Sequence, residues 1–593
     1  MIYRFLAAAA AALLFPLAAA AQQPVMPGEA AVAAKSVSTA RLRLGNSPTV
    51  AHRTTLAPVS EAEIESVRSR NRADAKDAPQ TQEMRAQRFT IGLARPVTGV
   101  LPGAPQLEWT PVDGGHAAQA AVTSPEAGSL RLVIDLAGVP TDVEMVFFGS
   151  ADPARLEGPV KVGDIADRSS PWWSPLTEGD TQTVEFYVPS RHEPAALALA
   201  VAGASHVFAT PSSGFTKRVQ DIGHAGSCNI DVPCSALAGS QAFRDAANST
   251  AQTLFSDAGF TVLCTGTLLA DGDAATQTPW FYAANHCFEN ESAPYKTPTQ
   301  MQAVANTLTT LWGFEASACN SGTPRSGWSQ LAGGATYIYN NVTTDVLFLR
   351  LNGAPPAGSY YSGWNANPVP SAAALVSLHH PQGDLKKATQ GTFSRFSAPG
   401  VGGANASYIE TRWSAGTTEQ GSSGGGVWTS SGGQYHFRGG LWGGSASCSN
   451  PTGTDFYSRF DQSYPFLAAY LGSGAAPPTD YTDLWWNPGE SGWGLKLIQH
   501  PSRVIFGVWY TYELDGTQTW YVLPNGSWTS ANTYAGTLYT TAGPPFTAQF
   551  DPSQVEKRAV GNATVTFSDA NNGVFSYSVD GVSGSKAITR QPF

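Results

Sequence analysis

A two-residue alternation of apolar and polar positions recurs along the chain, and helical periodicity is rare. Segments 88–93, 130–136 and 183–188 each alternate and are separated by turn-forming residues, which predicts an antiparallel sandwich. Upstream, Ser60-Glu61-Ala62-Glu63 has the spacing of a capping box. It predicts a charged helix running to about Lys76 and ended by Pro79. Two runs are apolar throughout, Phe281-Tyr282-Ala283-Ala284 and Val346-Leu347-Phe348-Leu349, and predict buried strands. Near the C-terminus, 504–510 and 519–523 are short and aromatic, with Asp515-Gly516 between them as a hairpin turn.

The first residues follow another pattern. Arg4 precedes an apolar run from Phe5 to Leu17, which closes on Ala19-Ala20-Ala21 and then Gln22. That is the layout of a secretory signal cleaved after Ala21. The run is short for a membrane span, and no second one follows, so the exported chain is not expected to be membrane-embedded. Residues 22 to about 88 are rich in Ala, Ser, Thr and Arg and read as an extended arm with one helix. The boundaries that follow are 1–21, 22–222, 223–471, a Gly/Pro/Ala linker at 472–479, and 480–593.

Composition sharpens this division. All 6 cysteines lie between Cys228 and Cys448, as expected for the disulfide set of one domain in an oxidising compartment. The 593 residues carry a net charge of −10 and only 13% charged residues, without the basic field of a nucleic-acid binder. The 60 glycines and 41 prolines favour turn-rich β architecture.

Candidate chemistry falls within the cysteine-bearing segment. Gly421-Ser422-Ser423-Gly424-Gly425 places a serine among glycines, where the main chain turns tightly and can aim N–H groups at an oxyanion. His286 follows the first apolar run and Asp345 precedes the second. Singly, each reads as a structural residue. Together, the order His286, Asp345, Ser423 is that of a chymotrypsin-type triad, in which His takes the serine proton and Asp orients His. The pentapeptide also fits an α/β-hydrolase elbow, but that fold needs its acid and histidine after the serine, and the surroundings are β-rich. A Cys287 thiol nucleophile beside His286 is a further alternative, disfavoured in an exported chain whose cysteines can pair.

Gly226-Ser227-Cys228-Asn229-Ile230-Asp231-Val232-Pro233-Cys234, Ala284-Asn285-His286-Cys287, His379-His380-Pro381 and Glu419-Gln420-Gly421-Ser422-Ser423-Gly424 resemble the secreted bacterial lysyl endopeptidases. These are a branch of the trypsin-like serine proteases, and the resemblance covers about 223–471. It implies a mainly β fold, with a trypsin-like double β-barrel catalytic domain. A β-sandwich-like propeptide would precede it and a small Trp-rich β-domain would follow. It also implies His286 as base, Asp345 as its orienting acid, Ser423 as nucleophile, and an oxyanion hole of the Gly421 and Ser423 N–H groups. The family pairing would be Cys228–Cys448, Cys234–Cys319 and Cys264–Cys287, one of fifteen connectivities that sequence allows.

Trypsin's charge-selecting acid stands six residues before the nucleophile, where this chain has Thr417. The resemblance instead assigns a pocket for Lys (or Arg) to Asp455, in Asp455-Phe456-Tyr457-Ser458-Arg459, with Trp442-Gly443-Gly444 along the substrate backbone. The acid just before the nucleophile, on which trypsin-type activation depends, is replaced by Ser422. Activation would therefore rest on removing residues 22–222, and Lys217-Arg218 lies just before the cysteine-bearing domain. The implied partners are protein or peptide substrates, with no cofactor, no metal and no nucleic acid. The alternative from another class is a catalytically silent, protease-like binding or adhesive protein. In the last domain, six of the 16 tryptophans read as core first and as a stacking face second.

Overall fold

The structure, a computed structural model, is mainly β with few helices. It describes residues 24–32, 40–45, 52–73, 88–96, 107–165, 167–168, 171–197, 199–211, 214–215, 225–272, 276–289, 294–398, 401–402, 407–472, 480–499, 504–524, 526–530, 532–545, 547 and 550–591. The leader at 1–21, Lys217-Arg218, Lys76 with Pro79, and all of the linker but Gly472 lie outside these residues. Among the described residues no helix is long and apolar enough to cross a membrane.

In the N-terminal region the alternating segments form two layers. Gly115–Thr123, Thr181–Pro189 and Glu144–Gly149 pair in one. Ser129–Asp135, Ala200–Val207 and Phe89–Pro96 pair in the other. Their inward side chains share one core, with Val122, Val184 and Phe186 against Leu132, Ile134 and Val201. The helix is Glu61–Ala73, and its capping box forms: Ser60 N–H donates to the Glu63 carboxylate at 2.8 Å and Glu63 N–H to Ser60 Oγ at 3.3 Å.

This region is not a separate body. Phe89–Pro96 also pairs with Phe260–Leu269, with Leu93 opposite Phe260 and Phe89 opposite Leu263. One sheet thus runs from the N-terminal region into the cysteine-bearing one, over a core of Phe89, Ile91 and Val207 with Leu254 and Leu263. The segment expected to be an extended arm also docks, since Val25–Met26 and Glu29–Ala30 pair with Trp364–Asn365 and Tyr360–Tyr361. A two-residue pairing has no periodicity to read. At Gly28 a Cβ would lie 2.5 Å from the Tyr360 ring, so only glycine permits that approach.

The cysteine-bearing region has two strand sets. In the first, Thr309–Trp312, Thr250–Asp257, Phe260–Leu269, Trp280–Ala284, Val346–Leu351 and Ala335–Asn341 pair in that spatial order. In the second, Gln434–Gly444, Gly426–Ser431, Ala374–His379, Lys387–Ala398, Tyr408–Ala415 and Thr454–Ser458 pair in turn. Thr454–Ser458 then returns to Gln434–Gly444, closing six strands into a ring. Tyr282 and Phe348 of the first set meet Trp428 and Phe437 of the second in one buried cluster, completed by Phe460 and Leu467 of the helix Phe460–Leu471. That junction positions the site.

In the last domain eight strands from Asp483–Trp486 to Val582–Arg590 form a closed antiparallel ring, with Gly526–Ser530 added at one edge. Trp485 and Trp509 fill its interior, while Trp520 is 54% exposed on the outer face.

Candidate active site

His286 stands two residues past the buried strand Trp280–Ala284, in the short helix Asn285–Phe288. Asp345 stands one residue before Val346–Leu351, and these two strands pair with Ala284 opposite Val346. The register alone brings the two side chains together. Asp345 holds the histidine twice: Oδ1 accepts from the His286 backbone N–H at 2.8 Å, and Oδ2 lies 2.9 Å from Nδ1. Asp345 is 2% exposed and has a left-handed φ of 54°, a strained conformation for a non-glycine residue. Its carbonyl accepts from Asn285 N–H, so the strained residue is pinned from both ends. Nε2, the far ring nitrogen of His286, is buried without a hydrogen-bond partner among the described residues.

The serine loop folds against the same strand. Gly424 leaves no room for a side chain, since a Cβ there would lie 2.2 Å from Thr265 O and 2.9 Å from Ala284 N. Ser423 is therefore held beside the end of the histidine strand, and is 3% exposed. Gly421 has φ 85°, and its N–H has no acceptor among the described residues. The N–H groups of Ser422, Gly424 and Gly425 are occupied by the carbonyls of Glu419, Leu441 and Ser422. Ser422 Oγ lies 2.8 Å from His379 Nδ1 and accepts from Glu419 N–H, so the position that carries trypsin's activation acid is a satisfied buried hydroxyl here.

Asp455 is 0% exposed, in the strand Thr454–Ser458 that runs beside Gly443 and Gly444. Its Oδ2 accepts from Trp413 Nε1 and from Thr418 Oγ1, both at 2.7 Å. Thr418 belongs to the stretch that leads into Ser423, which ties this carboxylate to the serine loop. Arg459 pairs with Asp461. Thr417 is buried and uncharged. Trp442 is half-buried, its ring 5.4 Å from that of Tyr408. A Cβ on Gly444 would fall 2.4 Å from Asp455 Oδ1, so glycine there lets the carboxylate lie against the backbone.

The cysteines pair as Cys228–Cys448, Cys234–Cys319 and Cys264–Cys287. No free thiol stands beside His286, since Cys287 is oxidised. Three supporting side chains carry no motif in the sequence: Trp413, Thr418 and Thr265. For Thr265 the one sign is a hydroxyl inside an apolar strand next to Cys264.

Residues 222–458 match the family described as "Lysyl endopeptidase, C-terminal domain", and residues 55–208 match "Lysyl endopeptidase N-terminal domain". The first match encloses His286, Asp345, Ser423 and Asp455. A lysyl endopeptidase of Pseudomonas aeruginosa is 34% identical over 379 residues, covering 62% of this chain and 77% of that protein. Among solved structures, Rv3671c of M. tuberculosis in an inactive form aligns over 40% of this chain and 91% of its own, at 18% identity and a TM-score of 0.24. A second inactive-form structure, of the Rv3671c protease, aligns over 40% and 97%, at 19% identity and the same TM-score.

Proposed function

The chain belongs to the lysyl endopeptidase family and is a peptidase, and from that premise we propose that it is a trypsin-like serine endopeptidase cleaving after Lys through Ser423, His286 and Asp345. The observation that carries this reading is the two-point hold of Asp345 on His286, with Nε2 buried and without a hydrogen-bond partner among the described residues. Asp345 Oδ2 accepts the Nδ1 proton, which fixes the tautomer with a basic Nε2. Ser423 Oγ attacks the scissile carbonyl carbon as Nε2 takes its proton, giving a tetrahedral oxyanion. The N–H groups of Gly421 and Ser423 face that charge and stabilise it more than the starting carbonyl. Collapse breaks the C–N bond. The leaving amine takes the proton from His286, and the acyl group remains on Ser423. Water, deprotonated by the same nitrogen, then releases the acid.

Asp455 is the basis for the choice of Lys. Trp413 and Thr418 both donate to Oδ2, which fixes the buried carboxylate in direction. A substrate ammonium pairs with that carboxylate and an apolar side chain does not, and burial amplifies the discrimination. The three disulfides fit export into an oxidising compartment, with 1–21 as leader and 22–222 as a propeptide removed on maturation. Digestion of a denatured protein mixture with the mature enzyme tests the reading. Released peptides should end in Lys, and termini without a basic residue would refute the specificity.

A further inference from the structure

Among the described residues Thr265 makes three hydrogen bonds outside its strand ladder, two of them to the serine loop. It lies in the strand Phe260–Leu269 and is 0% exposed. Its N–H donates to Ser423 O at 2.8 Å. Its hydroxyl donates to Gly421 O at 2.9 Å and accepts from His380 N–H at 3.1 Å. The sense of the hydroxyl is fixed, because His380 N–H can only donate and Gly421 O can only accept.

These bonds act on the peptide planes that directly follow the two planes carrying the oxyanion donors. An oxyanion donor is useful only if its N–H points where the charge develops, and a peptide plane turns its N–H and C=O together. Gly421, with its left-handed φ, is the permissive joint of the loop. The plane before it carries the Gly421 N–H and is pinned at the Gln420 carbonyl by Gln382 N–H, at 2.5 Å. The plane after it is pinned at the Gly421 carbonyl by the Thr265 hydroxyl. The plane carrying the Ser423 N–H is held at the Ser422 carbonyl by Gly425 N–H, and the next is held at the Ser423 carbonyl by Thr265 N–H. Thr265 thus closes both sides of the nucleophile's loop. The residue before it, Cys264, is bonded to Cys287 next to His286, so two consecutive residues of one strand hold the base and the nucleophile.

We propose that Thr265 is a positioning residue for this peptidase, its hydroxyl locking the Gly421 peptide so that the oxyanion donors are aimed before substrate arrives. This rests on the reading of Ser423 as nucleophile with Gly421 and Ser423 as oxyanion donors. The bland alternative is a buried threonine that contributes to stability alone.

The test uses the full chain after maturation, with Thr265→Ser, Thr265→Cys and Thr265→Val, each assayed for kcat, KM and inhibition by a lysine-ending peptide aldehyde. Ser keeps both bonds, Cys offers a weak donor, and Val keeps the shape and removes both. Removal of an oxyanion donor costs about 10²–10³ in kcat, so losing a support should cost about 10- to 100-fold. The expected result is that fall in kcat for Val, KM within about twofold, aldehyde affinity falling in parallel, Ser near wild type and Cys between. If Val does not fold, Cys against Ser decides. Equal kcat in Cys and Thr, or a Val variant with lower melting temperature and unchanged kcat, overturns the proposal. Ser423→Ala, assayed alongside, separates the two levels: full activity there overturns the nucleophile and this proposal with it, whereas failure of the Thr265 series alone leaves the nucleophile standing.

Discussion

The side-chain amide of Gln420 donates to the backbone carbonyl of Asn71 at 2.9 Å, joining the last turn of the N-terminal helix to the residue before Gly421. Asn71 is itself fastened to Thr90 by two bonds, its side chain receiving Thr90 N–H and donating to Thr90 O. The region ahead of the catalytic unit therefore reaches the serine loop through one short path.

We propose that this path restrains the serine loop until the region ahead of it is removed. The uncut chain should hydrolyse peptides weakly, and activity should rise when the chain is cut ahead of the catalytic unit. N-terminal sequencing of the active species should begin within 216–224. Fully active protein that begins at Gln22 would contradict this.

The disulfide Cys264–Cys287 should matter to activity beyond its effect on stability. It closes a short loop next to His286, and a bond of this kind stabilises by about 2–4 kcal/mol. A paired Cys264→Ala, Cys287→Ala variant should lose kcat at temperatures where circular dichroism still reports a folded domain. Loss of activity only in step with unfolding would show that the bond merely stabilises.

Much of this site is legible in the sequence because it depends on strand ends. His286 and Asp345 flank two apolar runs, and pairing those runs brings the residues together without further information. The helix start at Ser60 was equally readable, since a capping box is local. The docking of Val25–Met26 was not, and neither was the pairing of Phe89–Pro96 with Phe260–Leu269. Both are non-local choices of partner, to which the alternation of either strand alone is indifferent. Trp413 and Thr418 stayed hidden for a related reason, since their role appears only once Thr454–Ser458 lies beside Tyr408–Ala415.

Acid should destabilise the catalytic unit through His380. Its ring is fully buried, its Nδ1 lies 3.0 Å from Asp384 O, and burial, with Lys386 adding to it, holds its pKa well below the ordinary 6.5. The unfolded chain takes up a proton near pH 6.5 and the folded chain does not, so stability is present above that pH and falls as pH drops below it. The slope contributed by one such group is at most about 1.4 kcal/mol per pH unit. Thermal unfolding of wild type and His380→Gln between pH 4.5 and 8 should show a shallower acid slope in the variant. Parallel slopes would contradict this assignment.

Asp455→Asn keeps size and removes charge. Cleavage after Lys should fall by roughly 10²- to 10⁴-fold in kcat/KM, with cleavage after apolar residues, if measurable, hardly changed. An unchanged Lys/Ala cleavage ratio would remove Asp455 from the pocket and leave the triad untouched.

The central claim is that Ser423 is the nucleophile activated by His286 and Asp345, and labelling of the mature enzyme with a serine-directed phosphonylating reagent, read by peptide mass spectrometry, tests it most directly. The account predicts a single adduct on Ser423, complete loss of hydrolysis in step with labelling, and Ser423→Ala folded but slower by about 10⁴- to 10⁶-fold. An adduct on another serine, or an alanine variant that keeps its activity, would contradict it.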